Sequence, residues 1–374
     1  MDVNGRYKRK LKIIRHQRYI LRKLLNNINK NKGKNKGRNN YRGENGYSKI
    51  LACLERANFR VSHNYAKPIA CIDVPKVFCL SKNPDGSIRF LREIYSLFMD
   101  FVVKEIHFNH FSCDYMGICA SVIMDIIVME CIRYRESNKN NIVLSGTLKN
   151  GRVSNSNEVD TLVKMSGLLN HLKIYNGAIR NTEKLPMIKN GSSSYVAEKS
   201  IEYINRSLRR HGFKLTKQGN NHFGKFFGEI VDNCLLHGGD EAVWFTIGHY
   251  TYDEKAQLGK CKLCIVDFGD TIHESLKYHS NKKILKRINH YIKKTMFSFK
   301  SVRNEEVLYT LFSLQQRVSR IIDKKSVRGN GTVTFIESFL NLFNTNNENY
   351  KSLFSITSGK CSVLFDGKYR LEKK

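Results

Sequence analysis

Apolar positions change their period several times along this chain, and each change marks an element. Residues 6–25, RYKRKLKIIRHQRYILRKLL, set Leu11, Ile14, Arg18, Leu21 and Leu25 near one side of a helix. The next stretch, NNINKNKGKNKGRNNYRGENGYS (26–48), has few apolar residues and reads as a solvated linker. From about 67 to 175 strand and helix periods alternate. IACIDVPKVFCL (69–80) reads as strand, SIRFLREIYSLFMDFV (87–102) as helix through Ile88, Leu91, Ile94, Leu97 and Phe98, and VKEIHFNHF (103–111) as strand. GICASVIMDIIVMECIRY (117–134) follows as a mostly buried helix, NIVLSG (141–146) as strand and NEVDTLVKMSGLLNHL (157–172) as helix. This alternation predicts an α/β layer whose strands are at least partly parallel.

The stretch 176–200, NGAIRNTEKLPMIKNGSSSYVAEKS, is rich in loop residues and is expected to link two domains, 67–175 and 201–374, behind the basic region 1–48. The second domain reads as helices over about 196–211 and 222–237, strands over 242–250 and 261–269, and a long, basic, mostly helical segment. RGNG (328–331), a helix over 332–343 and strands at 353–357, 361–365 and 368–371 complete it, with Asp366-Gly367 as the hairpin signal for the last pair.

Charge adds a partner class to this α/β outline. The 374 residues carry +31, and residues 1–43 alone hold 15 Lys/Arg against the single acid Asp2. Such a balance favours polyanions: nucleic acid, an anionic membrane surface or an acidic protein. The helix over 6–25 is suited to RNA or acidic lipid, or serves as a solubilising tail. Ten scattered cysteines without a framework spacing, and no secretory signal pattern, point to a reducing cytoplasm. No run reaches the ~18 apolar residues of a membrane span; CASVIMDIIVMEC (119–131) is interrupted by Asp125 and Glu130.

Candidate chemistry gathers in three places. EIVDNCLLHGG (229–239), read as a helix, lines up Glu229, Asn233 and His237 at four-residue steps, with Phe227, Ile230, Val231 and Cys234 toward the core. A polar row of this kind is by itself usually a solvated face. CIVDFGDTI then delivers Asp267 at the end of an apolar strand, with Gly269 two residues on. About sixty residues later RGNG stands directly before a helix, where Gly329 and Gly331 let backbone N–H groups approach a phosphate.

In order and spacing the set resembles the N, G1 and G2 boxes of the GHKL-type ATP-binding domain, an α/β sandwich (the Bergerat fold) shared by gyrase, a class of heat-shock chaperones, histidine kinases and MutL. The likeness covers about 205–370 and is nearest to the anti-sigma-factor serine kinase branch, whose first box has Glu, Asn, His and Gly where this chain has Glu229, Asn233, His237 and Gly238. The resemblance implies ATP and Mg²⁺ as ligands. Asn233 would give the metal its carbonyl oxygen, Glu229 would act as general base, and His237 would stand near the phosphates. Asp267 would accept from the adenine amino group, with Gly269 making room for the purine. Arg328, Gly329 and Gly331 would belong to the lid. Two positions depart from the pattern: Thr271 stands where the family has a second glycine, and GTVTF replaces the usual continuation of the G2 box. Arg317, Arg320, Lys324, Lys325 and Arg328 are candidate cations for the γ-phosphate.

Residues 103–128 are similar, more loosely, to a STAS domain of the anti-sigma antagonist type: a strand, an acidic turn at Asp114 and a helix opened by Gly117, with Tyr115 where that family has its regulatory serine. Two metal readings are set aside. Cys261 and Cys264 form a lone CxxC within an apolar strand and are expected to be buried; His107, His110 and Cys113 are spaced to alternate between strand faces. The expectation is a cytoplasmic ATPase with a protein partner. A Ser/Thr protein kinase and a nucleic-acid-binding regulator with a vestigial nucleotide site are the alternatives, nucleic acid would engage the basic tail, and a homodimer is compatible.

Overall fold

The computed structural model describes residues 48–61, 67–148, 158–165, 182–237, 242–254, 257–280, 282–298, 304–314 and 353–365. Helix α1 (Lys49–Arg56) starts at Ser48, whose side chain accepts from Leu51 N, and it buries Ile50, Leu51 and Leu54 on one stripe. Three parallel strands follow, β1 (Ile69–Asp73), β3 (Glu105–Asn109) and β5 (Val143–Thr147), in the order β1-β3-β5 with Ile69 opposite Glu105 and Glu105 opposite Val143. Two short strands, β2 (Val77–Phe78) and β4 (Tyr115–Met116), pair parallel beside them. The single strand expected over 69–80 is therefore two. Pro75, which has no N–H for a ladder, lies at the break.

The crossovers are α2 (Pro84–Met99) and α3 (Ile118–Ser137). Asn83 caps α2, and Pro84 occupies its first turn, where a missing N–H is harmless. On β3, Ile106 and Phe108 enter the core while Glu105, His107 and Asn109 face the other way. Helix α3 is apolar on all sides, and its buried residues run from Ala120 to Arg135. A helix of that kind must be covered on every face, and here it is. A second sheet lies beyond it, so that Val243, Phe245, Ile247, Cys264 and Val266 share one core with α3 and the first sheet. The thiols of Cys119 on α3 and Cys264 on the second sheet are hydrogen-bonded across this seam.

That second sheet is antiparallel, in the order β6-β7-β8: β6 (Thr182–Lys189), β7 (Trp244–Asp253) and β8 (Leu258–Asp267). Strand β6 lies inside the stretch read from sequence as a linker, as does the start of α5 (Ser193–Arg209). Thr182, Lys184 and Ile188 of that stretch pair with β7 instead of spanning solvent. Helices α5 and α6 (Lys217–His237) cover the face of the sheet opposite α3, where Leu185, Tyr203, Ile204, Phe227 and Tyr250 form a second cluster. The described architecture is thus mixed α/β, with the layers sheet, helix, sheet, helix. Helix α4 (Glu158–Met165) closes one side, its Glu158 paired with Lys260 and Lys262 of β8.

Gly248 of β7 has to be glycine for steric reasons: a Cβ there would stand 2.8 Å from Cε1 of the fully buried Tyr203 and 3.0 Å from Cβ of Leu185. Gly248→Ala is expected to lower stability by about 1–3 kcal/mol, the usual cost of overpacking, as read from the urea midpoint at unchanged m.

Helices α7 (Ile272–His279), α8 (Lys282–Ser298) and α9 (Glu305–Ser313) pack through Leu276, Ile284, Ile288, Tyr309 and Phe312. The hairpin β9 (Phe354–Ser358) and β10 (Cys361–Phe365) turns through Gly359 at φ 58° and is tied to α9 by Lys360 N donating to Glu306 at 2.6 Å. The expected third strand over 368–371 and its Asp366-Gly367 turn lie outside the described residues. Among the described residues no helix is long and apolar enough to cross a membrane.

Candidate functional site

Helix α6 seats itself on the second sheet through Phe227, Val231 and Cys234, a stripe at four- and three-residue steps that meets Trp244 and Ile265. At 100° per residue, Glu229 and Asn233 stand about 160° to 200° from Val231. Both side chains are half-buried on the helix flank that the sheet leaves open. Burial pushes the Glu229 carboxyl above its ordinary value, with the charge of Asp232 adding to it. A carboxylate raised in this way is a better proton acceptor than a solvated one.

Strand alternation places Asp267 on the α5/α6 side of β8, with Ile265, while Cys264 and Val266 face α3. Asp267 stands opposite Trp244, which packs on Val231 of α6. Cys234, the residue after Asn233, lies within reach of the Asp267 charge; burial pushes its thiol up to about 12 and that charge adds to the shift. The last turns of α6 and the carboxyl end of β8 therefore sit side by side. Asp267 keeps exposed surface, yet protein surrounds it closely enough to push its carboxyl up to about 6. Asp270 reinforces the shift, and an N–H donated by Gly269 opposes it.

Thr271 has its own local task. It is the N-cap of α7: its hydroxyl accepts from Glu274 N at 3.2 Å, and the Glu274 carboxylate accepts from Thr271 N at 3.0 Å. This is a reciprocal capping box, legible in the sequence as Thr-Ile-His-Glu.

Helix α1 also reaches the site, which no motif announced. Burial raises the Cys53 thiol, Arg56 opposes the shift, and Glu274 and Asp267 add to it. The carboxyl end of β8 is thus approached by α1, α6 and α7 together. The signal in the sequence was only an amphipathic eight-residue segment some two hundred residues upstream.

His237 ends α6, and its side chain lies outside the described residues, as do Gly238, Arg317, Arg320, Lys324, Lys325, Arg328, Gly329 and Gly331. The CxxC cysteines divide between the sheet faces: Cys264 is buried, whereas Cys261 is exposed, which corrects the reading of both as buried. His107 bonds Ser145 Oγ at 2.9 Å through Nδ1 and Thr147 Oγ1 at 2.8 Å through Nε2. His110 and Cys113 are buried apart from it.

Whether the donors suit Mg²⁺ can be judged from their chemistry. No group of three or more His, Cys, Asp or Glu side chains suited to a metal occurs among the described residues. Mg²⁺ held by phosphates needs only one or two protein oxygens, and the amide oxygen of Asn233 beside the carboxylate of Glu229 meets that need.

No family model matches the chain, and no curated protein or solved structure matches it either.

Proposed function

We propose that this protein binds Mg-ATP against the last turns of α6 and the carboxyl end of β8, and hydrolyses it. The observation that carries the reading is Asp267, held at the end of β8 beside the helix that bears Glu229 and Asn233. With a carboxyl near 6, Asp267 is largely ionised at pH 7.5 and accepts from the exocyclic amino group of adenine. The ion supplies charge neutralisation at the phosphates when bound. Asn233 offers it an oxygen. Glu229, one helical turn earlier and already raised by burial, orients a water and takes its proton as the water attacks the γ-phosphorus. His237 at the end of α6 and the RGNG segment complete the site in this reading.

Calorimetric titration with Mg-ATP tests the binding half; absence of a saturable heat counts against it. The catalytic half rests on Glu229→Ala. Nucleotide affinity is expected to stay within about 3-fold while turnover falls by about 100-fold, the usual contribution of a positioned base. Unaltered phosphate release in that variant would remove Glu229 from the role.

A further inference from the structure

Helix α8 carries Lys282, Lys283, Lys286, Arg287, Lys293 and Lys294 and not one acidic residue. All six are exposed, and Asn289 and His290 lie exposed between them. Its apolar residues turn the other way: Ile284 and Ile288 are buried, and the Tyr291 ring packs 5.4 Å from that of Phe312.

Helix electrostatics gives no reason for this pattern. Lys282 and Lys283 occupy the first turn, at the positive end of the macrodipole, where acids are favoured. Lys282 with Lys286, and Lys283 with Arg287, are like charges four residues apart, and each such pair weakens a helix by about 0.2–0.5 kcal/mol. Within the helix these pairs are unfavourable.

We infer that the exposed face of α8 is a docking surface for the phosphate backbone of double-stranded nucleic acid. At 1.5 Å per residue, Lys282 to Lys294 spans about 18 Å. A duplex presents about ten phosphate charges over that length. A membrane surface fits less well, because an interfacial helix must insert apolar side chains, and those of α8 are committed to α7 and α9. Single strands are usually held by aromatic stacking platforms. Tyr291, the aromatic residue of α8 with a described side chain, is half-buried against Phe312. Contacts confined to phosphates make the binding independent of sequence.

The test uses the full chain and a fluorescein-labelled mixed-sequence DNA duplex of about 24 base pairs, with anisotropy read across a KCl series. One variant joins Lys282→Gln, Lys283→Gln, Lys286→Gln and Lys293→Gln. A control removes the same charge elsewhere through Lys67→Gln, Lys139→Gln, Lys214→Gln and Lys217→Gln, all exposed positions. The α8 variant is expected to bind about 10- to 100-fold more weakly near 100 mM salt, with the log–log salt slope reduced by about 3 to 4. The control should move the slope by less than about 1, and the same four α8 positions changed to Arg should retain wild-type binding. Equal losses in the Gln variant and the control would overturn the inference in favour of spread-out charge. So would wild-type protein that prefers vesicles of about 30% anionic lipid to the duplex and loses that preference in the α8 variant.

Discussion

Asp267→Asn is expected to remove ATP binding while leaving the fold as stable as before, or more so. A site built to hydrogen-bond a ligand group loses orders of magnitude in affinity when that match is broken; about 100-fold or more is expected in the calorimeter. Retained affinity would take Asp267 out of the adenine site. Stability should move in the opposite direction. The carboxyl titrates near 6 in the folded protein and near its ordinary value of about 3.9 when unfolded. Between those values the folded state holds the proton more tightly, so this group's contribution falls as pH rises from about 4 to 6, and the penalty is complete above 6. An amide at position 267 carries no such penalty. The variant should therefore melt at or above the wild-type temperature at pH 7.5 in the absence of nucleotide, the behaviour expected where stability has been given up for function. The same ionisation sets the pH profile of binding. Protonation of Asp267 replaces a charged acceptor with a weaker neutral one, so wild-type affinity should decline as pH drops through 6 toward 5. A flat profile over that range would separate Asp267 from recognition of the base.

Arg135→Leu is expected to cost about 3–5 kcal/mol of stability, the largest loss for any one side chain considered. Arg135 is fully buried at the end of α3 and donates to the carbonyls of Phe98, Asp100, Val103 and Asn140 and to Asn140 Oδ1. Those acceptors belong to the end of α2, the entry to β3 and the turn after α3, so one guanidinium joins three segments. Removing it strands several buried carbonyls, each costing about 1–3 kcal/mol when unpaired, with relaxation recovering part of the sum. Arg135→Lys should restore little, because an ammonium has three donors and no planar fork. Urea denaturation measures both variants. A loss below about 1 kcal/mol for the Leu variant would mean that the carbonyls find other partners.

Local pattern foretold the elements well where period and caps agree. The stripe Ile94, Leu97 and Phe98 marks α2, although its start at Asn83-Pro84 lies before the expected 87, and the alternation of Ile106 and Phe108 against His107 and Asn109 marks β3. The sequence reading erred where propensity was overruled by pairing. Residues 182–189 contain a proline and four charged or polar positions, yet they form β6 because the edge of β7 needs a partner. It was incomplete where a feature depends on what lies opposite: the exposure of Cys261 and the approach of α1 to Asp267 have no local signal.

Taken alone, the sequence determined most of the longer helices and strands, which faces of them are apolar, and that Glu229 and Asn233 share one flank of α6, because these depend on spacing along a single element. Tertiary structure decided the pairing order of the first sheet, that the second is antiparallel, that α3 is shared between them in one core, and that Asp267 lies beside the end of α6. Each of those facts rests on contacts between residues far apart in the chain, whose cost in loop entropy is offset only once the whole apolar interior closes, and no periodicity within one segment records them.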